Sequence, residues 1–428
     1  MASALRGTVA RLRVCVRHVA TPVAEVGLTA ATPQGERSEL LDALRGFALF
    51  GVLLVNLRSL SLYDLLPKDE RAALPGALID AWLKPFMTTL VDGSAITLFS
   101  LLFGVGCAMQ QQRAAGDPSG MQRYLRRLAV LLVFGLVHAY LFWWGDILRY
   151  YALLGVLLIP LSRLPDRWLA GLGVVVCVGL PVWLQPVVPP LLPTQISSPE
   201  SAARALAAFR SDDVATMLTG NLERDLRMRI AVWFVPAYVL GRLMIGAALG
   251  RSGVLLAPQL HLQFWRRLFA CMLLVGGGLT LFFALRSAGL PDHSLPWLDD
   301  AAGKMALRLA RFATPLAMGL LYLAGLVLLF QRPWWRRLIV QLAPLGQMAL
   351  THYIGQTILA IVLFYGVGFG LGARFGLLGT LVASLVILAL QLAASRWWLA
   401  RFRFGPLEWI WRCLTYLRVQ PMRRQARP

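Results

Sequence analysis

Charge is scarce in this 428-residue chain, and acidic charge is the scarcer sign. Charged residues make up 15% of the sequence, with 21 Asp plus Glu against 42 Lys plus Arg. An average soluble domain carries about 25% charged residues. The shortage excludes a solvated, disordered chain and an ordinary soluble enzyme. Cysteine is sparse as well. The five residues Cys15, Cys107, Cys177, Cys271 and Cys413 form no CxxC pair, and three sit in apolar runs. That excludes a disulfide-built secreted scaffold, and no metal site follows from the spacing. They read as small core hydrophobes. The first 39 residues lack a continuous apolar core before a cleavage site, so they do not read as a signal peptide. Their acid-poor, Ala/Arg-rich start has the composition of an organellar transit segment, but the expectation here is a basic cytoplasmic tail.

What the chain has in excess is apolar surface. Hydrophobic residues are 58% of it and the mean hydropathy is +0.64. The excess falls in runs near 20 residues, the length a helix needs to cross a hydrocarbon core of about 30 Å. An all-α, polytopic membrane protein follows. About ten membrane helices are expected, near 42–61, 85–110, 126–143, 147–161, 167–187, 229–250, 266–286, 308–330, 346–370 and 375–398. They belong to one membrane domain over 40–398. It carries an external connection at 189–228, with an amphipathic stretch from 199 to 219. A basic segment, 399–428, follows and is expected to lie on the inner surface.

The net charge of +21 would point to nucleic acid in a soluble protein. Here it marks orientation instead, and no nucleic-acid partner is expected. With the N-terminus inside, more than half of the basic residues fall in cytoplasmic segments. Most acids, Asp292, Asp299 and Asp300 among them, fall outside. This is the positive-inside asymmetry of an N-in, C-in protein. Gly366, Gly368, Gly370 and Gly372 alternate without a P-loop lysine, so they read as a helix end, not a phosphate cradle. Gly246 and Gly250 read as a close helix contact.

Polar groups inside hydrocarbon are costly and mark candidate sites. The first helix places Asp42, Arg45 and Asn56 on one stripe. Asp42 also reads as a cap paired with Arg45 at i+3, whereas Asn56 is a lone amide in an apolar run. Asp92 lies in Asp-Gly-Ser, which reads equally as a helix break. The segment from Gly135 to Tyr151 gathers His138, Asp146, Arg149 and several aromatics at one outer boundary. An imidazole is a general base near neutral pH, and a carboxylate fixes its tautomer. The same aromatics suit an interfacial belt, and His138 also reads as a packing residue. The ninth helix carries Gln347, Thr351, His352 and Gln356. Arg401, Arg403 and Arg412 alternate with aromatics near the C-terminus. They suit a surface helix or a basic lip for a phosphorylated ligand.

The stretches 41–56, 98–104, 138–155, 348–351 and 403–409 resemble the YeiB-like family of bacterial inner-membrane proteins, also called domain of unknown function 418. The likeness covers roughly 40–420. The first-helix stretch is also similar to one in membrane acyltransferases such as heparan-alpha-glucosaminide acetyltransferase. Gln347 stands where a basic residue is expected in many members, and His352 where asparagine is. Asn56 stands where several acyltransferase relatives have histidine. The resemblance implies a multi-pass protein of the cytoplasmic membrane.

Together these readings lead to an acyltransferase as the expected function. His138 would be the base and Asp146 its orienting acid. Asn56, Asp92, Arg149, His352 and Gln356 would contact a small-molecule, lipid or glycan substrate. Arg45 and Arg403 would hold acyl-CoA as co-substrate, with no permanent cofactor and no metal. The alternative is a transporter of a small polar or amphipathic solute that uses the same groups as a proton relay.

Overall fold

The computed structural model describes residues 39–193, 196, 198–287 and 300–424. The basic tail and the acids Asp292 and Asp299 lie outside the described residues. The described residues are helical, with no strand beyond an isolated bridge between Phe402 and Arg423.

The bundle opens with α1 (Glu39–Leu60), α2 (Ala77–Leu90), α3 (Ser94–Ala114), α4 (Gly120–Leu141) and α5 (Leu148–Leu161). Next come α6 (Asp166–Leu184), α7 (Pro199–Arg210), α8 (Val214–Ala231), α9 (Val235–Arg251) and α10 (Pro258–Ser287). The last elements are α11 (Ala301–Phe330), α12 (Pro333–Val340), α13 (Ala349–Phe364), α14 (Leu377–Arg401) and α15 (Pro406–Tyr416). The ten expected segments all overlap apolar helices, but 85–110 is split between α2 and α3 and 229–250 between α8 and α9, and fewer than ten stretches of the described residues qualify as spans. Seven stretches are long and apolar enough to cross a membrane, with α2 and α3 counted as one; α8 and α9 make an eighth if the pair is one span bent by 71°. The helices α5 and α13 are shorter, 14 and 16 residues. At 1.5 Å per residue they reach only about 21 and 24 Å, less than a full hydrocarbon crossing.

Asp-Gly-Ser does break a helix. The chain leaves α2 at Val91, and Gly93 takes a left-handed φ of +74° before α3 begins at Ser94. The most extensive helix pair is α3 with α9. In lipid no hydrophobic gain separates helix–helix from helix–lipid contact, so close backbone approach carries the association. Gly246 supplies it, because a Cβ there would strike the Leu101 carbonyl. Large apolar side chains on α2, α10 and α14, such as Trp82, Leu274 and Leu390, are exposed and form the lipid-facing side of the bundle.

The 189–228 connection is mostly helix, and α7 and α8 return onto the bundle. Phe209 stacks on Tyr365, with ring centroids 4.8 Å apart, and Gly366 donates its amide to the Phe209 carbonyl at 2.9 Å. The alternating glycines form the turn that leaves α13. In that turn the amides of Phe369, Leu371 and Gly372 bond back to the carbonyls of Val362, Leu363 and Phe364. The C-terminal segment is docked: Trp411 on α15 donates to the Arg127 carbonyl of α4 at 2.8 Å. Arg127 in turn stacks on the Trp411 ring at 3.9 Å.

Candidate functional site

His138 lies in the last turn of α4. Its carbonyl accepts the amides of Phe142 and Trp143, which closes the helix. Gly145 lets the chain turn there, since a Cβ would collide with the Trp143 ring. The turn folds Asp146 back onto the histidine, with Asp146 Oδ1 2.9 Å from His138 Nδ1. The second oxygen, Oδ2, accepts the Arg149 amide at 3.0 Å. One carboxylate thus holds the ring and the first turn of α5, where the helix dipole favours negative charge. A carboxylate only accepts hydrogen bonds, so Nδ1 donates to it, and in the neutral ring Nε2 is then the acceptor. Nε2 faces the hydroxyl of Thr357 on α13 at 3.0 Å. His138, Asp146 and Thr357 are all buried.

Aromatic rings and a second ion pair enclose this relay. The Tyr353 ring centroid is 5.1 Å from that of His138, and Trp143 is edge-on at 6.3 Å. The Tyr353 hydroxyl accepts the Ile147 amide at 3.4 Å. Helix α8 covers the turn with two side chains one helical turn apart. Asn221 accepts the Trp144 amide at 2.7 Å and donates to the Ala139 carbonyl at 2.8 Å. Asp225 pairs with Arg149 at 2.5 Å and also with Arg229. Three buried donors around the relay have no partner: Trp143 Nε1, Arg149 Nε and Arg149 Nη1. Buried polar atoms are rarely left so, which makes them available to a bound molecule.

The other expected site residues disperse. His352 Nε2 meets Ser395 at 2.5 Å, and Gln356 donates to Gln391 at 2.9 Å. They form a buried network between α13 and α14, on the helix row next to Tyr353 and Thr357. Asp92 pairs with Arg58 at 2.9 Å, and Arg58 also holds Asp64. Asn56 is half-buried on α1 and shares no hydrogen bond with His138, Asp146 or Arg149. Arg45 pairs with Asp42 at 3.0 Å, the expected i,i+3 pair; α1 starts at Glu39, so Asp42 lies inside the helix and does not cap it. Arg403 is half-buried, and its amide bonds to the Met422 carbonyl at 2.8 Å. Among the described residues no group of three or more His, Cys, Asp or Glu could hold a metal ion.

Sequence reasoning missed Thr357, Asn221 and Asp225 as members of this cluster. The i,i+4 spacing of Asn221, Asp225 and Arg229 was the one available signal for a polar helical face. It lay in a segment read as a connection.

Glu408 was missed as well. It accepts the amides of Leu350 and Thr351 at 2.7 and 3.0 Å and the Thr351 hydroxyl at 2.5 Å. A carboxylate on α15 therefore caps α13 from outside, satisfying donors that a helix start leaves open. Asp80 does the same for α14 through Leu377 and Leu378, at 2.7 and 3.0 Å. Burial pushes the Glu408 carboxyl up from its ordinary value, and the hydrogen bonds from Thr351 and Leu350 pull it partly back. Glu408→Ala is expected to lower stability by about 2–4 kcal/mol, because two helix-start amides lose their acceptor. Thermal unfolding in detergent measures this, and an unchanged midpoint would show that the cap is dispensable.

Comparison with known proteins gives a uniform result. A family described as protein of unknown function, DUF418, matches residues 249–418. The uncharacterised protein YxaH of Bacillus subtilis is 28% identical over 416 residues, 92% of this chain and 98% of the relative. The uncharacterised protein YeiB of Escherichia coli is 31% identical over 412 residues, 90% of this chain and 98% of the relative. An uncharacterised 39.9 kDa protein of Bacillus acidopullulyticus is 30% identical over 393 residues, 90% and 96% of the two chains. No solved structure matches the chain.

Proposed function

The chain belongs to the YeiB-like DUF418 family, and from that premise we propose that it is a transmembrane acyltransferase. One observation carries the reading. Asp146, His138 and Thr357 form a buried relay: Nδ1 faces the carboxylate and Nε2 faces a hydroxyl, and in the neutral ring that donates from Nδ1 the nitrogen facing the hydroxyl is a proton acceptor. This is the arrangement by which a hydroxyl is activated for attack on a carbonyl. The acceptor's hydroxyl or amine replaces Thr357 at Nε2, and His138 takes its proton as the new C–O or C–N bond forms. Trp143 Nε1 and the free Arg149 donors stabilise the oxyanion of the tetrahedral intermediate. His138 then returns the proton to the departing thiolate.

The acyl donor on this reading is acyl-CoA, entering at the opposite end of α4. Arg127 lies there on Trp411, with Arg412 and Arg45 as neighbouring cations. Arg403, on the chain segment that leads into α15, is the further cation this reading assigns to the donor. Eleven residues of α4 separate Arg127 from His138, about 16 Å along the helix, a span that an extended pantetheine arm covers.

The protein is placed in the bacterial cytoplasmic membrane with both termini inside, on the charge asymmetry of its connections. A single cysteine introduced at Pro199 is expected to react with an impermeant maleimide in intact cells, and one at Gln420 only after lysis. The reverse pattern would invert the map.

Lipid and glycan mass spectrometry of wild-type, deletion and complemented cells tests the activity. The acyltransferase predicts an acylated species that disappears on deletion and returns with the wild-type chain. An unchanged covalent inventory with altered solute uptake or efflux would overturn it in favour of transport.

A further inference from the structure

Arg242, midway along α9, is fully buried and has no carboxylate partner among the described residues. Its Nε donates to the Thr97 hydroxyl at 2.7 Å and its Nη1 to the Tyr238 carbonyl at 2.7 Å. The guanidinium carbon lies 3.1 Å from the centre of the Tyr238 ring. Nη2 is buried and has no hydrogen-bond partner. An uncompensated cation within an apolar bundle is strongly unfavourable, and ring and carbonyl contacts do not neutralise a charge.

A second orphan stands beside it. Ser94 opens α3, its side chain is fully buried, and its hydroxyl has no partner. Ser94 and Thr97 are three residues apart on one face of the helix. Gly319 on α11 lies against both, since a Cβ there would strike the Thr97 methyl and crowd the Ser94 carbonyl. The positive end of the α3 dipole is therefore at the same place as the guanidinium. The left-handed Gly93 makes this compact, since a Cβ there would press on Pro315 and on the Tyr238 hydroxyl at 2.9 Å each. Leu243 and Ala95, next in sequence to Arg242 and Ser94, and Leu316, next to the Pro315 that meets Gly93, are apolar and buried.

The geometry points to an anion site inside the bundle, in which Arg242 and Ser94 together bind a singly charged oxyanion carried at the end of an apolar chain. One unpaired cation neutralises one negative charge. Nη2 and the Ser94 hydroxyl supply donors to its two oxygens, and the apolar walls accept the chain. A fatty carboxylate and the phosphodiester of an anionic phospholipid share this chemistry. The site is separate from His138 and does not rest on acyl transfer, so either reading can fail without the other.

The test uses the full chain, delipidated in dodecyl maltoside, with unfolding followed by tryptophan fluorescence. The probes are laurate, phosphatidylglycerol, phosphatidylcholine and, as a tailless anion, acetate. Laurate or phosphatidylglycerol is expected to raise the unfolding midpoint in a saturable way, with phosphatidylcholine inert; whichever acts identifies the source of the anion. Arg242→Gln is expected to abolish the shift. Ser94→Ala, which removes only an unpartnered hydroxyl and leaves the packing intact, is expected to weaken the apparent affinity about tenfold, the worth of a hydrogen bond to a charged group. The proposal is overturned if neither anionic amphiphile stabilises the wild type more than phosphatidylcholine does. It is equally overturned if both variants keep the full shift. Stabilisation by acetate equal to that by laurate would remove the apolar chain from the assignment.

Discussion

His138→Gln is expected to accumulate in the membrane at wild-type abundance while product formation falls by two to four orders of magnitude. The imidazole makes two contacts, Nδ1 with the Asp146 carboxylate at 2.9 Å and Nε2 with the Thr357 hydroxyl at 3.0 Å. Glutamine offers one donor set and one acceptor, so the burial of the position remains compensated. What it cannot do is accept a proton near neutral pH, and a positioned general base is worth typically 10²–10⁴-fold in rate. Asp146→Asn is expected to lose less, because it misorients the ring without deleting the base. Thr357→Val separates two roles of the hydroxyl. If Thr357 only holds the acceptor's place, activity survives; if it carries the acyl group itself, activity is lost with the base intact. The readout is the species missing from deletion cells, normalised to protein level. A fully active, normally abundant His138→Gln protein would assign His138 to packing.

The second large effect is on folding. Asp225→Ala is expected to destabilise the protein by about 3–5 kcal/mol, because it leaves buried Arg149 without its counter-charge. Asp225 holds both Arg149 and Arg229. With Asp146 these four side chains carry two formal charges of each sign. The nearby Arg204–Glu223 pair is exposed on both sides, and breaking it with Glu223→Ala is expected to cost less than about 1 kcal/mol. Unfolding midpoints and membrane abundance of the two variants measure the contrast. Equal, small effects would mean that Arg149 finds other partners or reaches water.

Periodicity and hydropathy carry far in this chain because a bilayer demands them. Every lipid-crossing segment must satisfy its own backbone, so a run of apolar residues near 20 leaves helix as the only answer. The apolar runs fall on helices for that reason, although fewer of those helices are long enough to span than the ten expected. Local pairs were equally legible. Asp42 with Arg45, and the break at Asp92-Gly93-Ser94, depend on residues within a turn or two of one another. Likewise the Gly145 turn needs only eight residues to bring Asp146 back to His138. The Gly246 contact was readable because only a glycine allows two helix backbones to meet.

Composition, spacing and charge thus determined by themselves an all-α, multi-pass chain with a histidine and a carboxylate at one boundary. Tertiary structure alone decided what faces them. Thr357 reaches His138 across 219 residues of sequence, and Asp225 reaches Arg149 across 76. Glu408 caps a helix 58 residues earlier. No local rule links such positions, since which face of one helix meets which face of another depends on side-chain packing summed over the whole bundle. The same packing set Arg242 against Thr97 and left it without a counter-ion among the described residues. In the sequence it is one arginine among many; its burial comes from the helices around it.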